Sequence, residues 1–238
     1  MFGLGTIVNT VGIILGGLVG LIFKKGLKPR FQSILTDAIG LAVIFMGASG
    51  ALAGMLQITK NGLETAGTMM IIFSLVLGAV VGEAINLDYR LEQFGSWLKK
   101  KFSKKADPLF VEGFVTASCT VCIGAMAIVG SLEDGLTGDA SMLYAKTVLD
   151  AIIIMVYVSS FGKGAIFSAI PVFLLQGSVT IFAALIAPLM TETAIANLSM
   201  TGSMLIFCIG TNLLFHTKIK VANLLPALIF VIIYGLLF

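Results

Sequence analysis

Two charged residues, Lys146 and Asp150, lie four positions apart inside a long apolar segment of the sequence. In a helix this spacing places both side chains on one face, where they can form an ion pair. A charge near the centre of a bilayer costs about 2.5–3.5 kcal/mol even on lenient insertion scales, so such residues usually have a partner or a task. The pair is therefore either an internal contact that only positions helices or a site for a coupling ion or a charged solute group.

Other polar residues also interrupt the apolar segments. Asp37 is either a second site carboxylate or an interfacial one paired with Lys28 or Arg30. Glu112 and Glu83 lie near segment ends, where an interfacial or gating role is expected. Several neutral side chains need hydrogen-bond partners in a dry environment and are candidate solute or ion contacts: Asn9, Ser118, Gln176 and Asn212.

Motifs of enzymes and pumps are missing from the sequence. It has no nucleophile–base pair, Walker loop or dinucleotide fingerprint, so we predict no enzyme, no catalytic residue and no ATP-driven pump. Cys119 and Cys122 have metal-like spacing, but a soft-metal site needs further thiolates or histidines nearby. They are interpreted as small packing residues. We predict no metal site and no cofactor, with Na⁺ or H⁺ as the coupling ion.

Composition determines which elements must carry these residues. Of 238 residues, 58% are hydrophobic and 11% are charged, against about 45–50% and about 25% in soluble domains. No soluble fold has enough polar surface to cover so much apolar material. The formal net charge of +3 is too small and too localised to indicate a nucleic-acid partner. The sequence therefore predicts a polytopic membrane protein whose partner is the lipid bilayer.

The apolar runs predict an all-α fold with about eight transmembrane helices. About 20 apolar residues cross roughly 30 Å of hydrocarbon as a helix, and long runs without alternation favour helices over a barrel. The predicted spans are 3–23, 33–55, 68–87, 110–131, 142–161, 164–187, 199–215 and 222–238. Between the third and fourth, residues 88–107 predict one amphipathic helix in the cytoplasmic interface, with Trp97 and Phe102 as anchors.

Cations follow every second span, and this bias sets the predicted orientation. They follow spans one, three, five and seven: Lys24, Lys25, Lys28, Arg30, Arg90, Lys99, Lys100, Lys101, Lys104, Lys105, Lys163, Lys218 and Lys220. These loops should face the cytoplasm. Both termini are then predicted outside.

A weak internal repeat relates two of the spans. The segment LTDAIGLAVIFMGASG from Leu35 resembles VLDAIIIMVYVSSFGKG from Val148, which aligns Asp37 with Asp150. The two spans run in opposite directions in the predicted topology, as inverted repeats of transporters do. The alternative is chance similarity between two apolar helices. The repeat divides the chain into 1–87, a linker 88–107, and 108–238.

Glycines at helical spacing occur in the first and third spans. Such patterns let helix backbones approach closely, either within one protomer or across a homodimer. They are Gly12, Gly16, Gly20, Gly78 and Gly82.

A central block, FVEGFVTASCTVCIGAMAIVGSLEDGLTGD (110–139), carries a family resemblance. With LYAKTVLD (143–150), IPVFLLQG (170–177), IGTNLL (209–214) and IKVANLLPALIF (219–230), it resembles the YqgA/YdfK family of bacterial inner-membrane proteins of unknown function. The resemblance implies a transporter as the expected function and indicates little about its substrate. The resemblance implies an inner-membrane location, and it carries over no established binding residue.

The leading hypothesis is a secondary transporter of a small solute, coupled to Na⁺ or H⁺ and working as a homodimer. Asp150 and Asp37 would be symmetry-related acidic sites, and Lys146 would neutralise Asp150 or bind a carboxylate. Two alternatives are a passive ion channel and a non-transporting scaffold or subunit.

Overall fold

The computed structural model describes residues 3–26, 29–59, 62–103 and 108–237, and almost all of them are helical. The helices are α1 Leu4–Gly26, α2 Pro29–Met55, α3 Thr68–Ile85, α4 Leu87–Phe102, α5 Phe110–Cys122, α6 Ala125–Leu136, α7 Ser141–Phe161, α8 Ala169–Ile181, α9 Ala183–Ile186, α10 Glu192–Phe215, α11 Val221–Leu224 and α12 Ala227–Leu237. Two 3-10 segments, Lys163–Ser168 and Ala187–Leu189, precede α8 and α10. A short antiparallel hairpin joins β1 (Leu56–Thr59) to β2 (Gly62–Thr65).

Six helical segments in the described part of the chain are long and apolar enough to cross a membrane: Leu4–Phe23, Ser33–Met55, Thr68–Ile85, Ser141–Phe161, Lys163–Ile181 and Glu192–Phe215. A seventh candidate is the bent pair Phe110–Cys122 and Met126–Leu136, and Val221–Leu237 is a shorter apolar helix. The all-α polytopic fold is thereby confirmed. The count of eight spans stays a prediction.

The outward faces of the helices are apolar and the inward faces carry polar groups. On α1, Ile7 and Leu15 are more than half exposed, whereas Thr6 and Asn9 are buried. A water-soluble protein has the opposite arrangement, because its polar side chains cover the surface. The chain is therefore a multi-pass membrane protein whose exposed apolar side chains contact lipid.

The fourth predicted span differs from the expectation of one unbroken helix over 110–131. It consists of α5 and α6, which are bent by 60°. Gly124 at the break has φ of 139°, in the region that only glycine adopts easily. Span seven also begins earlier than predicted, at Glu192, because Thr191 caps α10 by accepting a hydrogen bond from the amide of Ala194.

The predicted amphipathic helix is present as α4. Its Trp97 and Phe102 are about half exposed, whereas Leu98 is buried against Phe110 and Phe114 of α5. Residues 104–107 of the predicted segment lie outside the described residues. The cytoplasmic location of α4 stays a prediction.

The described chain groups into two compact units that interleave along the sequence. The first unit comprises Met1–Ile39, Tyr89–Cys122 and Met126–Ile186, and the second comprises Gly40–Asp88, Ile123–Ala125 and Ala187–Phe238. Grouping by contacts is a different criterion from repeat symmetry. The predicted division at residues 87 and 107, and the inverted repeat itself, therefore stay predictions.

Within the first unit, α1 and α7 pack closely and run in the same direction. Added Cβ atoms at Gly12, Gly16 and Gly20 would meet Thr147, Ala151 and Met155 in turn. The order of these contacts makes the two helices parallel, as spans one and five must be in the predicted topology. The glycine face of α1 thus serves packing inside the protomer.

The bent pair runs along the whole length of α7. Gly113 of α5 lies against Phe161 at the end of α7, and Gly130 of α6 lies against Met142 and Leu143 at its start. A re-entrant loop would return to the end at which it began. The pair α5–α6 is therefore a broken span.

Within the second unit, glycines again mark the close helix contacts. Gly78 and Gly82 of α3 lie against Ala227 and Asn223, so α3 is antiparallel to the α11–α12 segment. Gly47 of α2 lies against Phe207 of α10. Glycines of α2 and α3 thus serve packing inside the protomer, as those of α1 do.

Candidate functional site

The Lys146–Asp150 ion pair lies inside the first unit on one face of α7. The ammonium Nζ of Lys146 is 2.8 Å from each carboxylate oxygen of Asp150, and it donates a third hydrogen bond to the carbonyl of Val121 at 2.9 Å. Only 7% of Lys146 and 3% of Asp150 is exposed. An ammonium has three N–H donors, so all the hydrogen-bonding capacity of Lys146 is used.

Two buried amides extend the pair toward α1 and α8. The Nδ2 of Asn9 donates to Oδ2 of Asp150 at 3.0 Å and to Oε1 of Gln176 at 3.2 Å. Neither Asn9 nor Gln176 is exposed at all. The amide orientation of Asn9 follows from chemistry, because its oxygen would repel the carboxylate whereas its nitrogen is a donor. Four predicted site residues therefore converge in one polar cluster.

The cluster has one unfilled acceptor and one unfilled donor. Within the part of the chain that the structure describes, Oδ1 of Asn9 and Nε2 of Gln176 have no hydrogen-bond partner. Leaving a buried polar atom unpaired costs about 1–3 kcal/mol. Such atoms in a membrane protein interior are candidate contacts for water or a polar ligand.

The ion pair also meets the end of a broken helix. Because α5 ends at Cys122, the carbonyl of Val121 is one of the last four in α5 and has no partner in that helix. The ammonium of Lys146 satisfies it and places a positive charge at the negative end of the helix dipole. Discontinuous helices of this kind form the binding sites of many secondary transporters.

Further buried polar contacts continue from the cluster toward the N-terminus of α1. The hydroxyls of Thr6 and Thr180 are 3.4 Å apart, one helical turn from Asn9 and Gln176. Asp134, completely buried, accepts hydrogen bonds from the amides of Gly3 at 3.2 Å and Gly5 at 3.0 Å.

Sequence reasoning missed these three polar residues. The predicted fourth span ends at residue 131, before Asp134, but α6 continues to Leu136 and buries the Asp134 carboxylate. One signal was available: Thr6 and Asn9 are spaced i, i+3, and Gln176 and Thr180 are spaced i, i+4, so each pair shares a helix face.

We expect Asp134→Ala to lower the free energy of unfolding by about 1–3 kcal/mol, because two amides at the N-terminus of α1 lose their acceptor. Asp134→Asn should lose less, since one oxygen acceptor remains. Unfolding in mixed micelles, followed by circular dichroism, measures both variants. Equal stability of Asp134→Ala and wild type would contradict this role.

Other predicted site residues lie elsewhere. Ser118 is buried on α5 and donates to the carbonyl of Phe114 at 2.6 Å. Glu112 is exposed in the first turn of α5, where the helix dipole favours a carboxylate.

Asp37 is half-buried on α2, and no hydrogen bond or ion pair joins it to the cluster among the described residues. Of its two expected partners, Arg30 lies over the ring of Phe31, at 5.0 Å from its centroid. Lys28 falls outside the described residues. The proposed symmetry between Asp37 and Asp150 stays a prediction.

Asn212 belongs to the second unit, where its side chain organises the loop after α10. Its Nδ2 donates to the carbonyl of Ile219 at 2.8 Å, and its Oδ1 accepts from Thr217 at 2.6 Å and from the amide of Ile219 at 3.0 Å. Both acceptor positions of the Asn212 oxygen and one of its two N–H donors are thus used in this loop. The geometry gives Asn212 a structural task.

Glu83 forms a second polar cluster within the second unit. Its carboxylate pairs with Lys220 at 2.8 Å and accepts from Nδ2 of Asn223 at 2.6 Å. Asn223 in turn accepts from the amide of Asp88 at 2.7 Å. Burial raises the pKa of the Asp88 carboxyl. These contacts join the end of α3 to the start of α11.

The fold and the cluster together define a polytopic helical membrane protein that holds an ion pair and two amides inside its apolar spans. The chain belongs to the family described as "Protein of unknown function (DUF554)", whose model matches residues 4–236. This membership confirms the resemblance carried by the central block.

Two relatives match over nearly the whole chain. The uncharacterized membrane protein YdfK of Bacillus subtilis (strain 168) is 36% identical over 225 residues, covering 94% of this chain and 92% of the relative. The uncharacterized protein YqgA of Escherichia coli (strain K12) is 28% identical over 230 residues, covering 95% and 93%. No solved structure shows a significant match.

Proposed function

We propose that this chain is a secondary transporter of a small solute in the bacterial inner membrane, coupled to Na⁺ or H⁺. One observation carries the proposal: a buried ion pair and two buried amides, with two hydrogen-bonding atoms unfilled, lie together inside apolar spans. Packing alone does not require this arrangement, since apolar side chains of similar volume would be as stable or more so.

The residues of the cluster have separate tasks in this proposal. Asp150 carries the negative charge that attracts the coupling ion, and Lys146 neutralises it when no ion is bound. Asn9 and Gln176 supply polar contacts that replace part of the hydration of the transported species. The solute crosses without chemical change, so no catalytic residue is needed.

The broken span supports alternating access. The α5–α6 break ends one half-helix beside the ion pair, where a small change in bend angle would move the Val121 carbonyl relative to Lys146. Transporters rock one helical repeat against another around such a site.

We propose that both termini face outward and that the protein is a homodimer. The dimer contact would then use other helix faces, because the glycine faces of α1 and α3 pack within the protomer.

The test is uptake into proteoliposomes with the double variant Lys146→Gln/Asp150→Asn, which removes both charges and leaves none unpaired. Wild type is expected to show saturable, gradient-dependent uptake of at least one probe among urea, glycerol, alanine and succinate under imposed Na⁺ or pH gradients. The double variant should lose at least about tenfold of that uptake, the equivalent of about 1.4 kcal/mol. Uptake by the wild type and by the double variant is measured in proteoliposomes of the same lipid composition.

The matched control is Asp139→Asn, the same chemical change at an exposed position. Asp139 accepts from the amide of Ser141 at 2.9 Å in the turn before α7, and an asparagine oxygen can still accept there. Its uptake should equal wild type. Unsaturable flux would indicate a channel, and normal uptake by the double variant would show that the ion pair only holds helices together.

A further inference from the structure

We propose that Oδ1 of Asn9 and Nε2 of Gln176 form the hydrogen-bonding subsite for the solute, and that the solute group they bind is neutral and has both a donor and an acceptor. Amides and alcohols have this chemistry. The inference rests on the proposed transport function and narrows its substrate class.

The positive and negative charges of the cluster neutralise each other. The ammonium of Lys146 uses its three donors on Asp150 and the Val121 carbonyl, and both oxygens of Asp150 accept hydrogen bonds. The pair is self-neutral. While Lys146 and Asp150 remain paired, a charged solute group entering the cluster would leave water without gaining an unpaired counter-charge, which makes its burial unfavourable.

The hydrogen bonds of the cluster determine which amide atom of Asn9 and which of Gln176 is available to a ligand. Asn9 must turn its nitrogen toward Asp150, so its oxygen is the atom without a hydrogen-bond partner among the residues that the structure describes. That nitrogen also engages the oxygen of Gln176, so the nitrogen of Gln176 is left. The two amides thus offer one acceptor and one donor from neighbouring, completely buried side chains.

The two amide atoms require a ligand with complementary hydrogen-bonding groups. A ligand that bonds to both atoms must donate a hydrogen bond to Asn9 and accept one from Gln176. An amide or a hydroxyl does both while remaining neutral, whereas a carboxylate cannot donate and an ammonium cannot accept. Water has the same hydrogen-bonding chemistry, so the experiment must separate a solute from a bound water.

The experiment follows urea, glycerol and water movement in proteoliposomes by stopped-flow light scattering. Gln176→Met removes the donor at similar side-chain length and should reduce protein-dependent urea or glycerol flux at least about tenfold, the cost of one lost hydrogen bond to a buried group. Ser160→Ala is the matched control, because the buried Ser160 hydroxyl likewise has no partner among the described residues. Its flux should equal wild type.

A second measurement needs no variant. Acetamide has both a donor and an acceptor, whereas N,N-dimethylacetamide keeps only the acceptor. Acetamide should compete with urea uptake by the wild-type protein, and N,N-dimethylacetamide should not. Equal competition by the two would overturn the requirement for a donor.

The remaining outcomes separate this inference from the proposed function. Saturable uptake of alanine or succinate without urea or glycerol uptake would overturn the neutral subsite and leave the transporter standing. If Gln176→Met reduced water flux and left urea and glycerol flux unchanged, the neutral subsite would also be overturned, because the amides would then bind only water. If no probe crosses saturably, the transport proposal itself fails.

Discussion

Replacing Lys146 with glutamine is expected to lower the free energy of unfolding by about 3–5 kcal/mol, because it leaves a buried carboxylate without its counter-charge. Asp150 is 3% exposed and, within the described part of the chain, would keep only the side-chain hydrogen bond from Asn9. The Val121 carbonyl at the end of α5 would also lose its charged donor. Unfolding of the purified variant by denaturing detergent, compared with wild type, measures the loss.

The double variant Lys146→Gln/Asp150→Asn should recover most of that stability, since neither charge then remains unpaired. Lys163→Gln is the matched single control. Among the described residues the Lys163 ammonium donates only to the Phe102 carbonyl at 3.2 Å, in an exposed hydrogen bond, so the change should cost less than about 1 kcal/mol. A loss at Lys146 no larger than at Lys163 would show that the pair contributes nothing measurable.

Gly16→Ala is expected to destabilise the protein by about 1–3 kcal/mol, because an added methyl group would overpack the contact between α1 and α7. The new Cβ would collide with the carbonyl oxygen of Ala151 and lie 2.8 Å from its Cα. This backbone cannot move aside as a flexible side chain could. The loss should exceed the roughly 1 kcal/mol that alanine gains over glycine in a helix.

Gly177→Ala is the control for that helix-propensity gain. Gly177 also lies in a helix of the first unit, and its added Cβ would meet only a methyl group of Thr6 at 4.0 Å. This variant should be as stable as wild type or gain about 0.5–1 kcal/mol. If Gly16→Ala is stabilised to the same degree, α1 and α7 are not as close as the structure places them.

Local properties explain the parts of the fold that could be predicted. The spans follow from runs of apolar residues, because a backbone in lipid must satisfy its hydrogen bonds within its own helix. The break after Cys122 was missed because the residues around it remain apolar, and hydropathy does not report the φ of 139° at Gly124. The predicted fourth span excludes Asp134 for a related reason. The burial of Asp134 depends on amides at the start of α1, more than a hundred residues away.

In the candidate site, too, contacts within one helix could be predicted and contacts between distant segments could not. The spacing of Lys146 and Asp150 on one helix predicts their ion pair, since residues four apart on a helix are neighbours. Nothing local indicates that Asn9 contacts both Asp150 and Gln176, while Asn212 contacts its own loop. A polar residue in a span has the same appearance in the sequence whether it contacts a loop or a buried charge.

Sequence alone predicts that the chain is a helical membrane protein, where most of its apolar helices lie, and which two charges pair on one helix. These are properties of single segments and of their transfer from water to lipid. The packing of the helices determines which polar groups from α1, α5, α7 and α8 share one cluster, and which hydrogen-bonding atoms of the described residues have no partner. Helix contacts in lipid depend on close backbone approach and on individual hydrogen bonds, so they are decided by packing between segments distant in the chain.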